Sequence, residues 1–194
     1  MNFGTLLQVK TRLLVNPQNV ARTTWDDTIT QIASGVEKAF DKFCNRQFVR
    51  AEGGTDTFTA DRETWILSRY PVETITTIEM RSGLNAGWQD QGAIESFVQD
   101  WNADSGLVQF GSLLGSALDR VRITYTGGYA QVPEDVVEAW LIQCKEVFSR
   151  IDPLGLEIGN AAIPDKLPDA LRAELQLVPQ VKTMLAGHIR YQLT

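Results

Sequence analysis

Apolar and polar residues alternate one by one from Arg120 to Thr126, and the period then changes within ten residues. Val121, Ile123 and Tyr125 interleave with Arg122, Thr124 and Thr126, so one face is apolar, the pattern of a half-buried β-strand. Gly127-Gly128 closes the strand, because glycine accepts the positive φ that a sharp reversal often needs. Pro133 fits a first helical position, and Glu134 and Asp135 put negative charge at the positive end of the helix dipole. Apolar residues then recur at steps of three and four as far as about Arg150, before Pro153 and Gly155 break the pattern. Val136, Trp140, Cys144 and Val147 make one stripe. Val137, Leu141, Cys144 and Phe148 make a second, with Ile142 outside both. A helix apolar over so wide an arc is either a central core helix or one with a core face and a subunit-interface face.

The same spacing predicts a short first helix over about 5–15, from Leu6, Val9, Leu13 and Leu14, broken by Asn16-Pro17. A longer helix follows over about 24–45. Thr24 is its predicted N-cap, Asp26 and Asp27 lie in its first turn, and Trp25, Ile29, Ile32, Val36, Phe40 and Phe43 form its apolar face. Asp27, Gln31, Lys38 and Asp41 mark the opposite face. From Gly53-Gly54 to Gly128 the pattern is one of short strands and turns. Asp56–Ala60 and Thr64–Leu67 read as a hairpin about Asp61-Arg62. Pro71 opens a strand through Val72, Ile75, Ile78 and Met80. Ser82–Gly87 reads as a turn, Ile94–Trp101 and Leu107–Phe110 as further strands, and Gly111–Asp119 as a loop. Beyond the organising helix, Asp152–Pro168 reads as an extended loop, Pro168–Leu177 as a short helix and Pro179–Arg190 as a last one. The expected fold class is α+β. An amphipathic helical bundle carries an inserted antiparallel β section over about 54–128 and a C-terminal loop and helical tail over about 151–194, all within one domain of residues 1–194.

Length and charge narrow the classes. A chain of 194 residues buries roughly 70% of its unfolded surface, so its core needs no disulfide or metal. Cys44 and Cys144 each fall in an amphipathic helical stretch and read as small buried hydrophobes in a reduced compartment. No run approaches the roughly 18 apolar residues of a membrane span, and Lys10 and Arg12 interrupt any signal-like apolar stretch. Host cytoplasm is the expected place of synthesis. The net charge of −6 divides into +3 over residues 1–50 and −9 over the remainder. Gripping DNA without regard to sequence needs clustered basic residues, so the acidic balance argues against DNA binding as the main task. A passage through which DNA slides is compatible with it.

The search for catalytic chemistry returns little. His188 is the single histidine, so any Ser/His/Asp or Cys/His arrangement would have to use it, and its place near the C-terminus favours a surface residue instead. Two distant cysteines and one histidine have no zinc spacing. The adjacent carboxylates Asp26-Asp27 and Glu134-Asp135 sit at helix starts, where dipole and capping account for them. Gly127-Gly128 lacks the surrounding residues of a phosphate loop. The reading is therefore of no catalytic residue, no metal and no cofactor. Trp65, Trp88 and Trp101 could serve as stacking platforms or interface anchors, whereas Trp25 and Trp140 fall on helical apolar faces. A small hydrolase with an acidic cleft and a DNA-binding accessory factor remain the alternatives from other classes.

The order of these features resembles the head–tail connector (adaptor) family of tailed bacteriophages over most of the chain. Lys10 to Val15 resembles an opening K-x-x-L-x-V helix, and Trp25 to Ile29 the acidic start of the next. Ala39 to Phe48, with Phe43, Arg46 and Phe48, resembles its end. Leu67 to Val72, through Arg69-Tyr70-Pro71, resembles L-x-R-x-P-V. Gly106 to Val108, Ile123 to Tyr129, Val132 to Val136 and the element Val178 to Leu185 follow in the family's order. Two features depart from it: a longer loop at Asp152–Pro168 and a larger β section. The resemblance implies a structural virion protein, not an enzyme. Its copies would form a ring, commonly dodecameric, beneath the portal, connecting the DNA-filled head to the neck and extending the DNA channel. The implied partners are the portal protein, the next neck or tail-completion protein, and further copies of itself. DNA would pass without specific binding, and no membrane is involved. The implied location is the virion neck. Candidate interface residues are Trp140 and Val147 on the long helix and Lys182, Met184, Leu185 and Arg190 in the acid-free tail Val178–Thr194. Another neck or tail-completion protein with a similar ring role is the neighbouring reading.

Overall fold

A computed structural model describes residues 1–13, 23, 26–83, 86–151 and 176–191. Leu14, Val15, Asn16-Pro17, Thr24, Trp25, part of the Ser82–Gly87 turn, the Asp152–Pro168 loop and most of the predicted Pro168–Leu177 helix lie outside these residues. The described elements are α1 (Leu6–Leu13), α2 (Asp26–Cys44), β1 (Ala51–Thr59), β2 (Thr64–Ile66), β3 (Val72–Arg81), β4 (Gln89–Asp90), β5 (Val98–Asn102), β6 (Leu107–Phe110), β7 (Arg120–Gly127), α3 (Glu134–Ile151) and α4 (Pro179–Leu185). The fold is α+β. Its contacts divide into two compact units: Met1–Cys44 with Gln131–Ile189, and Asn45–Ala130 with Arg190–Thr194.

The helical unit follows from the apolar spacing. Ile29, Ile32, Ala33, Val36, Phe40 and Cys44 of α2 are buried, as are Val136, Ala139, Trp140, Cys144, Val147 and Phe148 of α3. Asp27, Gln31 and Lys38 are exposed on the opposite face of α2. Helix α1 opens on a reciprocal cap, with Thr5 N–H donating to Gln8 Oε1 at 2.7 Å and Gln8 N–H to Thr5 Oγ1 at 3.2 Å. Phe3 packs its ring 6.1 Å from Phe40 and 6.4 Å from Trp140. In α3 the first helical residue is Glu134, and the Pro133 carbonyl accepts from Val137 N–H at 3.0 Å. Helix α4 has Pro179 in its first turn and stops at Leu185. The predicted helix to Arg190 is shorter than expected because Ala186–His188 tightens into a 3-10 turn and the chain is extended at Ile189.

The β unit holds two antiparallel sheets, ordered β1-β7-β3-β4 and β2-β6-β5. The alternating strand β7 is the middle of the first, with Ile123 opposite Asp56 on one side and Ile78 on the other. Val121, Ile123 and Tyr125 are buried and pack with Ala60, Trp65, Leu67, Ile78, Val108 and Phe110. The expected hairpin between β1 and β2 does not form. β1 pairs with β7 and β2 with β6, because each finds a longer-range partner carrying apolar side chains for the same core. The predicted strand over Ile94–Trp101 starts later, at Val98, after a 3-10 turn at Ile94–Ser96. At the end of β7, Gly128 has φ +98° and a Cβ there would meet the Val49 carbonyl oxygen at 2.6 Å. Gly127 has ordinary backbone angles, but a Cβ would meet the Arg69 carbonyl oxygen at 2.7 Å. Gly128 is needed for the turn, and both glycines for the close approach of backbone.

Candidate functional site

The residues singled out for interaction separate by burial. Trp140, Val147 and Leu185 are enclosed, at 0%, 3% and 0% exposure, so core packing in the helical unit accounts for all three. Lys182 is exposed and Met184 half-buried on α4, and Arg190 is half-buried in the β unit. The outer face of α3 is where accessible surface and mixed chemistry meet. Glu138, Ile142, Lys145, Glu146 and Ser149 line an open groove whose other walls include Arg12 of α1 and Pro179 of α4. Ile142, outside both apolar stripes, is half-buried there. Arg12 pairs with Glu138, and Arg150 with Glu146 at 3.1 Å, so paired charges flank the groove that Ile142 helps to line.

Buried polar groups build the walls of this unit. Gln143 is 1% exposed. Its Nε2 donates to the Gln176 carbonyl at 3.2 Å and its Oε1 accepts from Val178 N–H at 3.0 Å, so one side chain holds the approach to α4 against α3. Glu37 is buried and accepts from the backbone N–H groups of Asn2 and Phe3 at 2.7 and 3.1 Å. Lys10, also buried, pairs with Asp26 at 2.7 Å. None of these was assigned a role from sequence, although Gln143 lies three residues after Trp140 and Glu37 beside Val36. A polar residue on an apolar stripe was the available signal.

His188 is not a free surface residue. Its Nε2 lies 2.7 Å from Asp135 Oδ2, and its side chain is 17% exposed. Burial works to raise the Asp135 pKa, but the His188 hydrogen bond and charge, with backbone N–H donors, hold it below the ordinary carboxylate value. The pair joins the start of α3 to the turn after α4. Burial pushes the Cys144 thiol pKa well up, which keeps it protonated and unreactive. Among the described residues, no group of three His, Cys, Asp or Glu side chains is placed to hold a metal ion. No helix of the described residues is long and apolar enough to cross a membrane.

In the β unit the polar groups serve the fold. Tyr125 Oη donates to Asp56 Oδ2 at 2.8 Å and accepts from Arg69 N–H at 2.9 Å, while Ser68 Oγ donates to Asp56 Oδ1 at 2.7 Å. Arg46 is buried, donates to the Tyr70 carbonyl and lies over the rings of Tyr70, Phe48 and Tyr129 at 3.4, 4.8 and 5.1 Å. Trp88, a candidate stacking platform or interface anchor, is half-buried under the guanidinium groups of Arg122 and Arg81, 4.4 and 5.0 Å from its ring. Trp65 is buried edge-on against Phe110 at 4.8 Å, and Trp101 is 37% exposed.

No family model and no curated protein matches this chain. Solved structures do match its fold. A chain in the neck of an empty gene transfer agent (GTA) particle, computed with C6 symmetry, superposes with a TM-score of 0.62 at 13% identity, over 99% of this chain and 92% of that one. A chain in the virion of a native gene transfer agent particle superposes with a TM-score of 0.64 at 14% identity, over 99% and 92%. At such identities the likeness is one of fold.

Proposed function

We propose that this chain is a structural component of the neck of a phage-like particle, one of several copies in a ring that lies beneath the portal and continues the DNA channel toward the tail. The observation that carries the reading is the near-complete overlap of its fold with chains of gene transfer agent particles, one of them from a neck. An isolated module grafted onto a different architecture would overlap over part of its length only. The groove on the outer face of α3 supports a ring role, since its lining combines the apolar Ile142, Val178 and Pro179 with the charged Arg12, Glu138, Lys145 and Glu146. The net charge of −6 suits a wall along which a polyanion slides without adhering. In this reading Lys182 and Met184, with accessible surface on α4, face the portal or the neighbouring copy, and catalysis has no part.

Gold-labelled antibody against the purified protein, applied to particles from its own host, tests the assignment. Label at the junction of head and tail supports it. Label over the capsid or along the tail, or protein found only outside particles, overturns it.

A further inference from the structure

Strands β1 and β2, joined by the turn Ala60–Glu63, line a shared cavity of about 250 Å³ instead of pairing. Phe58, Trp65 and Ile66 supply apolar wall, and Arg62, Arg190 and Tyr191 complete it. The Phe58 and Trp65 ring centroids are 5.8 Å apart, and Tyr191 is 72% exposed.

The strand edges beside this cavity carry unmatched backbone groups. Ala60 N–H donates to Asp119 O at 3.2 Å, and the register pairs Thr59 with Arg120 and Phe58 with Val121. By the alternation of an antiparallel ladder, Thr57 and Thr59 then direct their N–H and C=O groups away from β7. On β2, Phe110 N–H donates to Glu63 O at 2.7 Å and Leu67 N–H to Gly106 O at 2.9 Å, so Thr64 and Ile66 point theirs away from β6. One such group is already taken by a side chain, since Arg190 Nη1 donates to Ile66 O at 3.0 Å. No strand covers the outer edge of β1 among the described residues. Over Thr57–Thr59 this edge carries no charged residue and no proline, so it is an open template for another chain.

Charge selects the guest. Among the described residues no carboxylate lines the cavity, although the chain as a whole has net charge −6. Asp61 and Glu63 flank Arg62 in the turn without contributing to the lining. Arg190 spends its terminal nitrogens on neutral oxygens, those of Ile66 and of the Asn45 side chain at 3.4 Å. Its buried Nε has no hydrogen-bond partner among the described residues.

From these three features we infer that the cavity and the outer edge of β1 receive an extended acidic peptide segment of a partner protein. Its backbone pairs with Thr57 and Thr59, one apolar side chain enters against Phe58, Trp65 and Ile66, and a carboxylate meets Arg190. The site lies wholly in the β unit and does not depend on ring formation.

The test uses the full chain and a fluorescein-labelled hexapeptide, Thr-Asp-Thr-Leu-Thr-Val, whose Asp and Leu lie two residues apart on one face of the extended chain, followed by fluorescence anisotropy. Saturable binding is expected, with amide exchange slowed at Thr57 and Thr59. Replacing the peptide's Asp by Lys, or its Leu by Pro, weakens binding roughly tenfold or more, as does Arg190→Ala in the protein. Tyr191→Ala, at an exposed position that cannot unfold the chain, weakens it too. Absence of saturable binding, equal affinity for the Asp and Lys peptides, or indifference to both substitutions overturns the inference. Self-association that the peptide competes away would put a second copy in the site and overturn the choice of occupant.

Discussion

The indole Nε1–H of Trp140 donates to the backbone carbonyl of Ala33, 107 residues earlier, at 3.1 Å. This bond fixes α3 against α2 at the point where both are fully buried. Trp140→Ala removes a large buried ring together with its hydrogen bond, so a loss of roughly 3–5 kcal/mol is expected. Trp140→Phe keeps most of the volume and should cost less. Urea denaturation of both variants checks the order. A folded Trp140→Ala protein that fails only in assembly would show that the ring lies at an interface after all.

Tyr125 makes a prediction about alkaline pH. Burial, then the nearby charge of Asp56, raises its pKa from 10.0 to about 12. The folded state therefore keeps a proton that the unfolded chain loses above pH 10. The contribution is fully present below pH 10 and is lost as pH rises toward about 12. Burial raises Tyr70 as well. Absorbance at the tyrosinate band should show late titration that coincides with unfolding. Tyr125→Phe leaves Asp56 short of a donor and should cost about 1–3 kcal/mol at neutral pH, with a flatter alkaline limb.

Asp135 and His188 give the opposite sign at acid pH. The folded pKa of Asp135 lies below its unfolded value of 3.8. Its contribution is present above that value and disappears as pH falls through the lower folded one. His188→Ala removes a bond that depresses it, so wild type should be the more stable at pH 5, with this difference lost as pH falls through the folded pKa of Asp135. Denaturation midpoints of the two proteins across that range measure it.

Ile142 separates fold from assembly. It is half-buried in the groove on the outer face of α3, so Ile142→Glu should change stability by only about 0.5–1 kcal/mol. If copies meet through that groove, the same change places an unpaired carboxylate in the contact and abolishes association. Light scattering at matched concentration, with circular dichroism to confirm folding, tells these apart. Unaltered association would remove the groove from the interface.

Helices and strands were legible where periodicity was strong. The spacing of Ile29, Ile32, Val36 and Phe40 gave the buried face of α2, and alternation at Val121, Ile123 and Tyr125 gave the central strand. The pairing of β1 was not legible. The turn at Asp61-Arg62 favours a hairpin locally, but local chemistry cannot weigh a partner more than sixty residues away, and the Asp56–Tyr125 bond spans 69 residues. The buried roles of Gln143, Glu37 and Lys10 left a trace only as polar residues on apolar faces. Interaction residues were the least accessible to reading. An apolar side chain such as Leu185 reads the same from sequence whether its partner is its own core or another subunit, and burial is what places Leu185 in the core.

The central claim is a ring that stacks on a portal, and one measurement addresses it directly: purified protein mixed with the purified portal of the same particle, weighed by light scattering and imaged by negative stain. The account predicts closed rings seated coaxially on the portal, lost in Ile142→Glu. Protein that stays apart from the portal across a range of salt concentrations, with no ring in any image, would contradict it.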